Sequence, residues 1–106
     1  MTTPDSWIFA IEEDKLREGA MNLVSPRGIS ILLIKRDKEI YAISNKCAHM
    51  ACPLAAGMLE GYLLQCPCHD WRFDIRTGEF IEAKEIKLPT YRVKITDNNI
   101  YIQIGG

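Results

Sequence analysis

The chain reads as an all-β domain, an antiparallel sandwich or barrel. Apolar and polar residues alternate with period two through several short stretches, so each strand can bury one face and wet the other. Turn-forming residues punctuate those stretches, and the C-terminal end carries a clear hairpin pattern. At 106 residues there is room for one domain, taken as 1–106, and one core.

Trp7-Ile8-Phe9-Ala10-Ile11 opens as a strand. Glu12 to Glu18 suits a short helical turn, which Gly19 ends. Ala20 to Ser25 and Gly28 to Lys35 are strands around a Ser25-Pro26-Arg27-Gly28 turn. Arg36-Asp37-Lys38-Glu39 is a polar reversal into the strand Ile40-Tyr41-Ala42-Ile43, and a loop follows from Ser44 to about Gly57. Tyr62-Leu63-Leu64-Gln65 is a short strand that delivers Cys66. Trp71-Arg72-Phe73-Asp74 alternates again, and Thr77-Gly78 turns the chain. Tyr91 to Ile95 and Ile100 to Ile104 flank Asp97-Asn98-Asn99 as a hairpin with one apolar face.

Composition excludes several functions. Hydrophobic content of 47% and charged content of 25% are those of an ordinary globular protein. Thirteen basic and fourteen acidic residues are well mixed, giving a formal net charge of −1. There is no basic stripe for nucleic acid and no charge block of the kind found in disordered tails. The N-terminal segment has neither the basic nor the apolar region of a signal peptide. The longest apolar run, Ile29 to Ile34, includes Ser30 and is too short to span a bilayer. The expectation is a soluble, cytoplasmic chain.

The chemistry concentrates in two short segments. Cys47-Ala48-His49 lies sixteen residues ahead of Cys66-Pro67-Cys68-His69, and His49 and His69 are the only histidines. A C-x-H segment followed by C-x-x-H is the ligand pattern of a Rieske [2Fe–2S] centre, in which one iron takes two thiolates and the other two imidazoles. Each segment supplies one Cys and one His, so neither holds a metal alone. Cys47 and His49, two apart, point the same way in extended chain. Cys66 and His69 suit a tight turn in which Pro67 fixes one dihedral.

Three other readings compete for the same residues. A tetrahedral Cys₂His₂ zinc site ordinarily pairs Cys with Cys and His with His, unlike this order. A four-cysteine cluster on Cys47, Cys52, Cys66 and Cys68 matches the C-x₄-C opening of plant-type ferredoxins but not their following C-x₂-C. The plainest is a set of buried structural residues without metal, which the clustering of all six within one short stretch disfavours. The spacing permits the Rieske geometry without proving it.

Two longer stretches carry a family resemblance. Gly61-Tyr62-Leu63-Leu64-Gln65-Cys66-Pro67-Cys68-His69-Asp70-Trp71-Arg72-Phe73-Asp74 with Thr77-Gly78 resembles the second cluster-binding segment of Rieske ferredoxins. Asn45-Lys46-Cys47-Ala48-His49-Met50-Ala51-Cys52-Pro53-Leu54 resembles the first, and the likeness continues through Leu88-Pro89-Thr90-Tyr91-Arg92-Val93 and the final hairpin. It implies the Rieske fold: an antiparallel β base with an inserted cluster-binding subdomain, here about 45–73. It also implies one [2Fe–2S] cluster, with Cys47 and Cys66 on the inner iron and His49 and His69 on the outer.

Within that resemblance the chain is a hybrid. Cys52 and Cys68 stand where respiratory and photosynthetic Rieske proteins carry a disulfide between the two loops, a pair that ferredoxins serving oxygenases generally lack. A 52–68 bridge would close a loop of about 17 residues, worth about 3 kcal/mol by chain entropy; two reduced, packed thiols are the alternative in a reducing compartment. Trp71, two residues after His69, follows the ferredoxin pattern. Asp70 departs from the usual Gly, in a turn that Asp tolerates; its carboxylate either lowers the reduction potential from beside the outer iron or points into solvent. Met50, Leu54, Met58 and Trp71 offer an apolar surface around the ligand loops, or else pack within them.

Function follows as an expectation. Both histidines are committed, so none remains for a mononuclear catalytic iron, and no G-x-G-x-x-G dinucleotide fingerprint occurs. The chain is expected to be an electron carrier rather than an enzyme: a ferredoxin between a reductase and a terminal oxidoreductase such as an oxygenase, with both partners docking near His49 and His69. The alternative is a fixed Rieske subunit of a larger complex, quinol-oxidising or related to the nitrite reductase small subunit.

Overall fold

The structure, a computed structural model, describes residues 6–45, 53–68 and 71–104. In chain order its strands are β1 (Ser6–Glu12), β2 (Met21–Val24), β3 (Ile31–Arg36), β4 (Glu39–Ser44), β5 (Met58–Glu60) and β6 (Leu63–Gln65). They continue as β7 (Arg72–Asp74), β8 (Glu79–Phe80), β9 (Ala83–Lys87), β10 (Thr90–Thr96) and β11 (Asn99–Ile104). Two antiparallel sheets result, a base ordered β1-β11-β10-β4-β3-β2 and a smaller sheet ordered β5-β6-β7-β8-β9. The smaller sheet is inserted between β4 and β10. It runs on to Lys87, past the stretch about 45–73 in which the sequence places the cluster-binding subdomain.

β3 shows how the sequence builds this arrangement. Ile31, Leu32, Leu33 and Ile34 are all fully buried, although alternate side chains leave opposite faces of a strand. Ile31 and Leu33 pack with Leu16, Ala42, Ile100 and Ile102 inside the base. Leu32 and Ile34 pack with Ile43, with Leu64, Phe73 and Phe80 of the inserted sheet, and with Ile75 just beyond β7. One strand therefore divides two cores, which is why its sequence is continuously apolar instead of alternating.

The turns are tighter than the composition suggests. Asp37-Lys38 and Asp97-Asn98 both carry positive φ at two successive residues, the geometry of two-residue hairpins whose twist matches that of their strands. Asn99, expected in the second turn, begins β11 and pairs with Thr96. The expected helical turn after β1 is a short 3₁₀ turn at Glu13–Lys15, followed by buried Leu16.

β5, β8 and β9 have no counterpart in the sequence reading. β5 and β9 are the edges of the inserted sheet, and β9 reads Ala-Lys-Glu-Ile-Lys, too charged to alternate cleanly. Gly78 holds this region together. Its φ is +81, its carbonyl accepts the Leu88 N–H at 2.8 Å, and a Cβ there would lie 2.4 Å from the Leu88 carbonyl oxygen.

A polar cluster joins the sheets at the β3–β4 turn. The Tyr62 hydroxyl donates to the Asp37 carboxylate, and Arg36 Nε donates to the Gly61 carbonyl at 2.8 Å. Glu18 accepts the N–H groups of Asp37 and Lys38 at 2.7 and 3.1 Å, which hold its carboxyl below the ordinary carboxylate value. The Arg76 guanidinium sits 4.3 Å from the centre of the Tyr62 ring and also binds Asp74. The hydrogen bond to Asp37 favours the neutral phenol, so the Tyr62 pKa rises to about 12.

Candidate cluster site

The described residues that flank the two ligand segments meet at the other end of β6. The second is closed by extension of the β6–β7 ladder. Beyond the Gln65↔Arg72 pair, the Cys66 N–H donates to the Trp71 carbonyl at 2.9 Å, leaving Pro67 to Asp70 as the loop. Cys66 is thereby placed at the end of the β6–β7 ladder, 1% exposed and with a free thiol.

The first excursion is closed at its base by Asn45. The Asn45 carbonyl accepts the Leu54 N–H at 2.7 Å, and its side-chain oxygen accepts the Ala55 N–H at 2.8 Å. Its own N–H donates to the Ser30 carbonyl of the base at 3.1 Å. A 3₁₀ turn at Leu54–Ala56 then leads through Gly57 into β5. Gly57 brings the two excursions together, since a Cβ at this position would lie only 2.1 Å from the Gln65 carbonyl oxygen.

A recess of about 330 Å³ opens where they meet, lined by Ala56, Gly57, Met58, Gln65, Cys66, Pro67 and Cys68. Met58, at 68% exposure, stands at its rim. Leu54, expected as part of an apolar surface, is fully buried, because the 3₁₀ turn directs it into the inter-sheet core. Trp71 is half-buried. Its ring stacks on Phe80 with centroids 4.0 Å apart and planes 6° from parallel, so it packs on the inter-sheet core.

Of the sequence-predicted site residues, the structure describes Cys66 and Cys68. Cys68 is exposed and disulfide-bonded. Cys47, His49, Cys52 and His69, and with them Met50 and Asp70, lie outside the described residues. Three positioning residues escaped the sequence reading: Asn45, Gly57 and Phe80. Asn45 and Gly57 carry no distinguishing local signal, and Phe80 lies in a two-residue strand too short for periodicity to reveal.

The one proposed ligand among the described residues, Cys66, fits an iron–sulfur site. The free thiol of Cys66, shielded from water, lies at the hydrogen-bonded end of a ladder beside a recess, a setting in which a thiolate ligand is held in one orientation. Comparison with known proteins decides the family. The model of the Rieske [2Fe-2S] domain matches residues 6–92. The chain belongs to the Rieske [2Fe–2S] domain family.

Relatives extend the match almost end to end. The chain is 35% identical over 102 residues to the ferredoxin component of the naphthalene 1,2-dioxygenase system of Pseudomonas aeruginosa, covering 95% of this chain and 98% of that protein. It is 33% identical over 103 residues to the ferredoxin component of the 2,4-dinitrotoluene dioxygenase system of Burkholderia sp., covering 94% and 97%. Among solved structures it superposes on the ferredoxin of carbazole 1,9a-dioxygenase from Nocardioides aromaticivorans with a TM-score of 0.83, at 25% identity and with 92% and 96% coverage. This Rieske protein is accordingly a ferredoxin with one [2Fe–2S] cluster. It carries electrons and is not itself a catalyst, as the sequence led us to expect. No helix among its described residues is long and apolar enough to cross a membrane.

Proposed function

We propose that this Rieske ferredoxin passes single electrons from a reductase to the terminal oxygenase of an aromatic-ring dioxygenase system. The observation that carries the reading is end-to-end kinship with separate ferredoxin components of such systems, which supports a mobile carrier over a fixed subunit. Cys47 and Cys66 would hold the inner iron, and His49 and His69 the outer one, within a subdomain at about 45–73. The buried free thiol of Cys66 supports its place in that set. Bound there, the cluster supplies a one-electron couple whose potential depends on net charge, solvent exposure and hydrogen bonds to its sulfurs.

The chain's own residues hold that site in shape. The β6–β7 ladder fixes the Cys66 backbone, the Trp71–Phe80 stack packs the chain that leaves the second ligand segment onto the core, and buried Leu54 anchors the chain that leaves the first. Partners would dock near His49 and His69, and exposed Met58 beside the recess suits the small, rapidly exchanging interfaces of redox proteins. Cys52 would be the partner of Cys68, whose disulfide-bonded state supports the pairing. A cytoplasmic location accords with kinship to these ferredoxin components.

An anaerobic redox titration followed by EPR, with iron and zinc counted on the same sample, tests the reading. About two irons per chain are expected, with a rhombic signal toward the lower end of the roughly −150 to +300 mV Rieske range. A potential near the upper end that shifts with pH would favour quinol-linked chemistry. Zinc in place of iron would end the proposal.

A further inference from the structure

Asn45 is buried to 6% exposure, and no other polar or charged side chain among the described residues is as deeply buried. It binds two consecutive N–H groups, those of Leu54 and Ala55, one through its main-chain oxygen and the other through its side-chain oxygen. In an extended ladder consecutive N–H groups point to opposite sides, so one strand residue cannot satisfy both with its backbone alone. Here they open a 3₁₀ turn and lack partners within it. A short side chain ending in a carbonyl supplies the second acceptor. The Asn45 N–H, donated to Ser30, ties the same residue to the base. Asn45 thus joins both ends of the segment carrying Cys47, His49 and Cys52 to each other and to the rigid sheet.

We propose that Asn45 is a positioning residue for the cluster: its double acceptor clamp fixes the base of the first ligand loop and so the environment of the iron. This rests on the ligand assignment proposed above. The side chain acts through its acceptor oxygen, which an isosteric carboxylate retains, whereas truncation leaves the part-buried Ala55 N–H without this partner.

The test compares cluster-loaded wild type with Asn45→Ala, Asn45→Asp and Ile100→Val. The last trims a fully buried side chain of the base core remote from the loops. Loss of the visible absorption to an iron chelator under anaerobic conditions gives cluster lifetime, and EPR-monitored titration gives potential. Asn45→Ala should lose its cluster about tenfold faster, with a displaced midpoint potential in the fraction that retains it. Asn45→Asp should stay within about twofold of the wild-type lifetime, and Ile100→Val should match wild type in both readouts. The proposal is overturned if Asn45→Ala keeps the wild-type lifetime or potential, if Asn45→Asp fails as badly as Asn45→Ala, or if Ile100→Val loses its cluster equally fast. A wild-type protein with no Rieske signal would instead overturn the ligand assignment itself.

Discussion

Gly57→Ala should damage this protein through one contact. The φ of Gly57 is −84°, a value any residue adopts, so backbone strain is not at issue. The new Cβ would meet the Gln65 carbonyl oxygen at 2.1 Å, against a closest tolerated approach of 3.0 Å, so β5 and β6 must part by about 0.9 Å. The obstacle is main chain and cannot rotate away. Overpacking of this kind costs about 1–3 kcal/mol. With a urea dependence of about 1–3 kcal/mol per molar, the unfolding midpoint should fall by about 1 M. Because Gln65 adjoins Cys66, iron content should fall too. Gly61→Ala is the comparison: φ is +63 with nothing within 4 Å of a Cβ, so it should cost about 1 kcal/mol in conformational strain and leave iron content unchanged. Urea titrations followed by far-ultraviolet circular dichroism, with iron assays, decide the matter. If Gly57→Ala unfolds at the wild-type midpoint, or costs no more than Gly61→Ala, the contact with Gln65 does not fix this glycine.

Other outcomes follow from the same geometry. Trp71→Ala should lower stability by about 2–3 kcal/mol, less than for a fully buried aromatic, whereas Trp71→Phe keeps a ring on Phe80 and should cost under about 1.5 kcal/mol; thermal unfolding measures both. Asp74, whose carboxyl is held below its usual 3.8 chiefly by the hydrogen bond from Arg76, contributes stability that is complete above that value and lost as pH falls through the lower folded one. Asp74→Asn should therefore flatten the acid arm of the stability profile. Tyr62 runs the other way: its contribution is complete below its ordinary value of 10.0 and lost as pH rises through about 12. Ultraviolet phenolate titration should show two tyrosines ionising above the ordinary value, Tyr41 through burial and Tyr62 through its bond to Asp37, and Tyr62→Phe should remove the step near 12.

The local pattern of β1 to β4, β6, β7, β10 and β11 is legible in the sequence because burial of one or both faces leaves a periodicity or an unbroken apolar run. The ligand spacing is legible for a different reason: iron and sulfur fix which residue types must recur at which offsets, whatever the surrounding chain does. The tertiary structure alone decided the rest. β8 and β9 owe their state to neighbours, since two residues or a Lys-Glu-rich strand have no period to read. That Leu54 lies in the inter-sheet core, that Trp71 rests on Phe80, and that β3 separates two cores all depend on how the inserted sheet packs on the base. Asn45 and Gly57 show the limit most clearly. A polar residue and a glycine in a loop are ordinary in sequence; one becomes a clamp and the other a point of contact only when residues ten and eight positions away fold back onto them. Spacing along the chain encodes which atoms can bind the metal, but hydrogen bonds and close approach, set by packing between sheets, determine how rigidly those atoms are held.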